Sequence, residues 1–246
     1  MFRRPDTRFT RGRMAGLPAT AFHRLVSSVS VIGSWQSDLG VTLGTGVSAW
    51  ADQTGNGYTL SQAAGGQQPA YNATGLNGKP TITFDGTDDF MSNASLDLPA
   101  APYFYWMVFS AVSWTVNDTL LASGSNGVGQ VLQRGSTPQI GACNNGVSGA
   151  YFNTGAVLGS WYRMRVSFTN STSDYIRIGS TNTTGTNMGT AASAAGFNLG
   201  KNTSAANYAN ISVAALMVLG GTPSAAELSA LDAAVTRFYG ASVGVG

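Results

Sequence analysis

Eleven carboxylates and one histidine are all the side chains this 246-residue chain offers for acid–base work at neutral pH, so their placement decides which reactions are open to it. The single glutamate, Glu227, stands in Ser224-Ala-Ala-Glu227, a helix-start pattern, and Asp85, Asp88 and Asp89 form the sole acidic cluster. Glycoside hydrolysis needs two carboxylates facing each other across the scissile bond, roughly 5–9.5 Å apart. No segment here carries alternating acids, and turn formation explains the aspartate cluster better. The single histidine, His23, stands in an arginine-rich stretch, so neither a Ser-His-Asp triad nor a histidine-based metal cluster is available. Cys143 lies in Gly-Ala-Cys-Asn-Asn-Gly and reads as a structural thiol rather than a nucleophile. Gly44-Thr-Gly46 mimics a dinucleotide-binding loop, but Trp50-Ala-Asp52 follows where an apolar helix should start. The residues therefore predict no enzyme.

Binding remains open. Glycan recognition uses an aromatic ring against a sugar face, with amides and carboxylates reading the hydroxyls. Trp35, Trp114, Tyr151 and Tyr208 lie beside polar loop sequence and are the candidate glycan-binding rings. Each of them suits core packing as well, with its polar tip satisfied there.

The elements that would position these groups are mostly strands. Thr81–Phe84 and Trp161–Phe168 alternate, the second with Tyr162, Met164, Val166 and Phe168 on one face and Arg163, Arg165 and Ser167 on the other. That is the pattern of a half-buried antiparallel strand. Residues 174–179 repeat it. Residues 103–112 and 211–219 are apolar on both faces without helical periodicity, which predicts central strands. The glycine-, serine- and asparagine-rich stretches 124–129, 144–149 and 181–189 read as loops. One helix is predicted over 224–239, opened by the Ser224/Glu227 capping box, with Leu228, Leu231, Val235 and Phe238 on its apolar face and Gly240 ending it.

Charge divides the chain in two. Residues 1–24 hold six arginines against Asp6 alone, whereas the remainder is slightly acidic. The body therefore carries no electrostatic footprint for nucleic acid. Residues 1–24 read as a basic arm whose Phe2, Arg3, Arg4, Arg8, Phe9, Arg11, Arg13 and Phe22 would engage a partner. Residues 25–246 read as one domain. No apolar stretch has the length of a signal sequence or a membrane span, and one cysteine allows no intrachain disulfide.

An ordered set of short motifs carries a resemblance. Trp50-Ala-Asp52-Gln-Thr-Gly55-Asn56-Gly57 comes first, followed by Gln68-Pro69-Ala-Tyr71 and Gly75-Leu-Asn77-Gly78-Lys79-Pro80. Phe84-Asp85-Gly86-Thr-Asp88-Asp89-Phe90-Met91 completes the first half. Together with the Trp161 strand, Gly200 and the closing Thr-Pro-Ser-Ala-Ala-Glu-Leu helix, these resemble the laminin-G-like, concanavalin A-like superfamily over about residues 35–240. The resemblance implies an all-β fold, a two-sheet antiparallel jelly-roll sandwich with one short C-terminal helix, here preceded by an extended N-terminal arm. It implies no single activity. Some relatives bind calcium through loop oxygens, which makes Asp52, Asp85, Asp88 and Asp89 candidate calcium ligands. The sparse charge, the arm and the missing export signal lead to one functional expectation: a bacteriophage virion surface protein, a capsid decoration or tail-fibre component. Its partners would be other virion proteins, copies of itself or host glycans, with no nucleic acid and no membrane. The alternative expectation is a lectin-like module for cell-surface carbohydrates.

Overall fold

The computed structural model describes residues 21–125, 127–134, 139–144, 151–153, 157–184, 187–193, 195–203 and 207–244. Two antiparallel sheets face each other. The first runs β15 (Thr181–Thr184), β14 (Tyr175–Ile178), β13 (Trp161–Phe168), β8 (Tyr103–Ala111), β17 (Asn210–Leu219), β6 (Lys79–Asp85) and β5 (Ala70–Leu76), with β1 (Val31–Gln36) also pairing β17. The second begins with β12 (Tyr151–Asn153), β11 (Gln139–Cys143), β10 (Gln130–Arg134), β9 (Thr119–Ser123) and β16 (Phe197–Leu199). It continues through β7 (Met91–Asn93), β4 (Leu60–Ser61), β3 (Val47–Trp50) and β2 (Val41–Leu43).

β8 shows why two strands are apolar on both faces. Tyr103, Tyr105, Met107 and Phe109 point between the sheets, while Phe104, Trp106 and Val108 point outward into a second core. β17 divides its residues in the same way, Leu216 and Val218 inward, Met217 and Leu219 outward. The outer face is covered by α1 (Ala225–Tyr239), which buries Leu231, Val235 and Tyr239. Ser224 Oγ accepts from the Glu227 N–H at 3.3 Å and the Glu227 carboxylate accepts from the Ser224 N–H at 2.9 Å, so the predicted capping box is formed. The helix ends at Gly240, whose φ of +91° a side chain would resist.

Three expectations change. Arg163 and Arg165 do not face water: they are 4% and 7% exposed because α1 lies over them and both pair with Asp232. Residues 181–184, expected as loop, form edge strand β15, since threonine-rich sequence tolerates a half-solvated strand. Phe22, assigned to the arm, belongs to the body. A single 3-10 turn, Phe22–Leu25, inserts its ring 5.5 Å from Trp106, 6.1 Å from Phe238 and 6.0 Å from Tyr239. Its burial seals the second core and leaves no ring surface for an outside partner. The packed body therefore starts before residue 25. Among the described residues no helix is long and apolar enough to cross a membrane.

Candidate functional site

An open cleft of about 530 Å³ lies at one end of the sandwich. Two crossings of the chain build it. β1 pairs with the end of β17, Val31 opposite Leu219, which sets Ser30 beside Gly220. The Gly220 N–H donates to the Ser30 carbonyl at 2.9 Å, and a Cβ on Gly220 would lie 2.4 Å from Ser30 Oγ. The opposite wall is the segment between β7 and β8, where Leu98 and Ser193 exchange backbone hydrogen bonds at 2.9 and 3.0 Å. Ile32, Pro99 and Pro102 supply apolar surface, and Tyr58, Ser30 and Asp97 supply an aromatic ring, a hydroxyl and a carboxylate. Tyr58 is half-buried, and Ser30 and Asp97 are exposed. Asp97 Oδ1 accepts from the Gly196 N–H at 3.3 Å, which fixes the carboxylate relative to the wall.

The rings singled out in the sequence go elsewhere. Trp35 is fully buried, stacked on Phe197 with ring centroids 6.4 Å apart and an interplanar angle of 3°. Its indole N–H donates to the Tyr58 carbonyl at 3.1 Å, so it supports the cleft from below and cannot stack on a sugar. Tyr208 is 9% exposed and lies against Phe90, whose ring also carries the Lys201 ammonium at 3.4 Å. Trp114 packs against the core with its indole N–H unpartnered. The Tyr151 side chain, and the arm residues Phe2, Arg3, Arg4, Arg8, Phe9, Arg11 and Arg13, lie outside the described residues. Sequence reading passed over Tyr58, Asp97 and Ser30, although Tyr58 follows the Asn56-Gly57 turn already noted.

The acidic cluster is assembled as a turn. Asp85 Oδ1 accepts from the Thr87, Asp88 and Asp89 N–H groups at 2.8, 3.3 and 3.4 Å, and Asp89 Oδ2 accepts from the Asp85 N–H at 3.1 Å. The three side chains offer carboxylate oxygens within 4.8 Å of one another. Burial, and then the neighbouring Asp85 charge, push Asp89 up to about 6. Asp52 is not part of this group: its carboxylate accepts from Ser34 N–H, Thr54 N–H and Thr54 Oγ1. Calcium takes six to eight oxygens. Backbone amides already take one carboxylate oxygen each of Asp85 and Asp89, so the residues are accounted for by the turn they build.

Glycoside hydrolysis by a carboxylate pair would need a second acid in the cleft. Asp97 is the one acid lining it among the described residues. Asp118, which burial raises to about 6, is outside that lining, as is Asp89. Glu227 is engaged by the Ser28 hydroxyl, the Ser27 N–H and Ser224, and these hydrogen bonds hold its carboxyl well below the usual carboxylate range.

No protein-family model and no curated protein matches the chain. Solved structures do. Domain 4 of AbnA, a GH43 extracellular arabinanase from Geobacillus stearothermophilus, in complex with arabinotriose, matches with a TM-score of 0.60 and 14% identity, over 83% of this chain and 99% of that domain. A GH54 α-L-arabinofuranosidase matches with a TM-score of 0.64 and 13% identity, over 93% of this chain and 66% of that one. The Trypanosoma rangeli sialidase in complex with sialic acid matches with a TM-score of 0.59 and 11% identity, over 85% of this chain. The chain spans about 33% of that sialidase's length. At these identities the likeness is one of fold, a sandwich shared with carbohydrate-active enzymes and binding modules.

Proposed function

We propose that the chain is a saccharide-binding module that holds a glycan in the end cleft and does not hydrolyse it. The observation that carries this reading is the lining of the cleft: one half-buried aromatic ring, apolar proline and isoleucine surface, one carboxylate and one hydroxyl. Sugar rings present C–H faces to aromatic and apolar groups, and hydroxyls around their edges to acceptors such as Asp97. A hydrolase working by a carboxylate pair would need a second acid across the bond. Support also comes from the match to domain 4 of AbnA, which spans 99% of a domain in complex with arabinotriose.

Titrating the chain with arabinotriose, followed by calorimetry or by amide shifts, tests the reading. Saturable binding is expected, with no sugar released on long incubation. Tyr58→Ala should weaken binding at least about tenfold, the loss of roughly one aromatic contact. Because Tyr58 also packs on the core, Ser30→Ala serves as a milder second variant. Unchanged affinity in both variants would place any saccharide elsewhere. Hydrolysis that disappears in Asp97→Asn would show the chain to be an enzyme.

A further inference from the structure

We infer that the cleft selects uncharged saccharides and rejects acidic ones, with Asp97 as the specificity-determining residue. This deepens the saccharide-binding reading and rests on the cleft being the saccharide site. Asp97 is the only charged side chain lining the cleft among the described residues, where neither arginine nor lysine appears. The ion pairs of the described residues do not involve it. Its position is fixed by the backbone. The Gly196 N–H holds Oδ1, and Gly196 itself, at a φ of +83°, has no room for a side chain, since a Cβ would lie 2.6 Å from the Asn93 carbonyl oxygen. No hydrogen bond of the described residues engages Oδ2, and the side chain is exposed at the cleft lining.

Such an acceptor favours hydroxyl donors through charge-assisted hydrogen bonds. A sugar carboxylate or sulfate brought to the same place meets a fixed like charge in a site with no cation to balance it. Because Asp97 is exposed, salt should screen that repulsion, and discrimination should be greatest at low ionic strength.

A glycan array probed with the full chain tests this, carrying arabinotriose, galactotriose and lactose beside trigalacturonate and sialyllactose. The expected result is signal on the neutral members at least about tenfold above their acidic counterparts at low salt, narrowing at high salt. Asp97→Asn should bring the two classes to within about twofold, because the amide keeps an acceptor and loses the charge. Acidic members as bright as neutral ones would overturn the inference while leaving the saccharide reading intact. So would a ratio unchanged in Asp97→Asn. Silence across the whole array would overturn both.

Discussion

The two sheets treat their outer faces in opposite ways. On the first sheet that face carries Phe104, Trp106, Val108, Met217 and Leu219, all buried beneath α1 and the Phe22 turn. On the second sheet one row across the strands reads Ser61, Ser92 and Asn198, in successive register, before it reaches Ala122, which is buried. No helix of the described residues packs there, and Ser61 is exposed while Ser92 and Asn198 are half-exposed. The inner faces are alike, with Leu121, Leu199 and Met91 of the second sheet meeting Met107, Val166 and Leu216 of the first in a single core. The same pleated backbone thus needs large apolar side chains on its outer face only where another element covers it, and small polar ones where water does.

The comparison can be broken hardest at Phe22. Its 2% exposure and three aromatic neighbours make it the seal of the covered face, so Phe22→Ala should lower stability by about 3–5 kcal/mol in denaturant unfolding. A loss below about 1 kcal/mol would show that the turn merely rests on the surface.

Asp89, at the turn leading into the bare face, gives a smaller effect with a pH signature. Its folded-state proton affinity is raised from the ordinary 3.8 to about 6, so ionisation opposes folding. Below pH about 4 the group is protonated in both states and costs nothing. Between about 4 and 6 the cost grows, and above that it is constant. Asp89→Asn should therefore add about 1–3 kcal/mol at pH 8 and almost nothing at pH 3.5, measured by parallel urea titrations. A gain independent of pH would assign the effect to packing. Loss of stability in the variant, together with stabilisation of the parent by millimolar calcium, would revive the cation reading of the cluster.

The smallest change is expected at Asn198. Asn198→Ala on the uncovered face should stay within about 0.5 kcal/mol. A larger loss would mean that this face, like the other, has a structural partner.

Much of the frame was legible from residue order. Strand Trp161–Phe168 forms where its alternation predicts a strand, although both its faces are buried, and the two doubly apolar runs became β8 and β17. The Ser224/Glu227 signature marked the helix start because capping is local, satisfied within four residues. The cleft was not legible. Ser30, Tyr58, Asp97 and Gly220 are far apart in the chain, and none belongs to a motif that announces a ligand. Trp35 looked like a binding ring because it neighbours polar sequence, yet its burial depends on the contact with Phe197, far along the chain.

The sequence by itself therefore determined what local chemistry can determine: the period of the strands, the helix and its cap, the acidic turn at Asp85–Asp89, and the scarcity of paired acids. Tertiary structure alone decided which face each alternating strand shows to water. Arg163 and Arg165 became buried partners of Asp232 only because α1 docks above them. It also decided where a cavity forms, since pairing β1 with β17 brings Ser30 from one end of the body against Gly220 from the other. Backbone hydrogen bonds between remote strands fix those neighbours, and no local propensity encodes which remote strand a segment will meet.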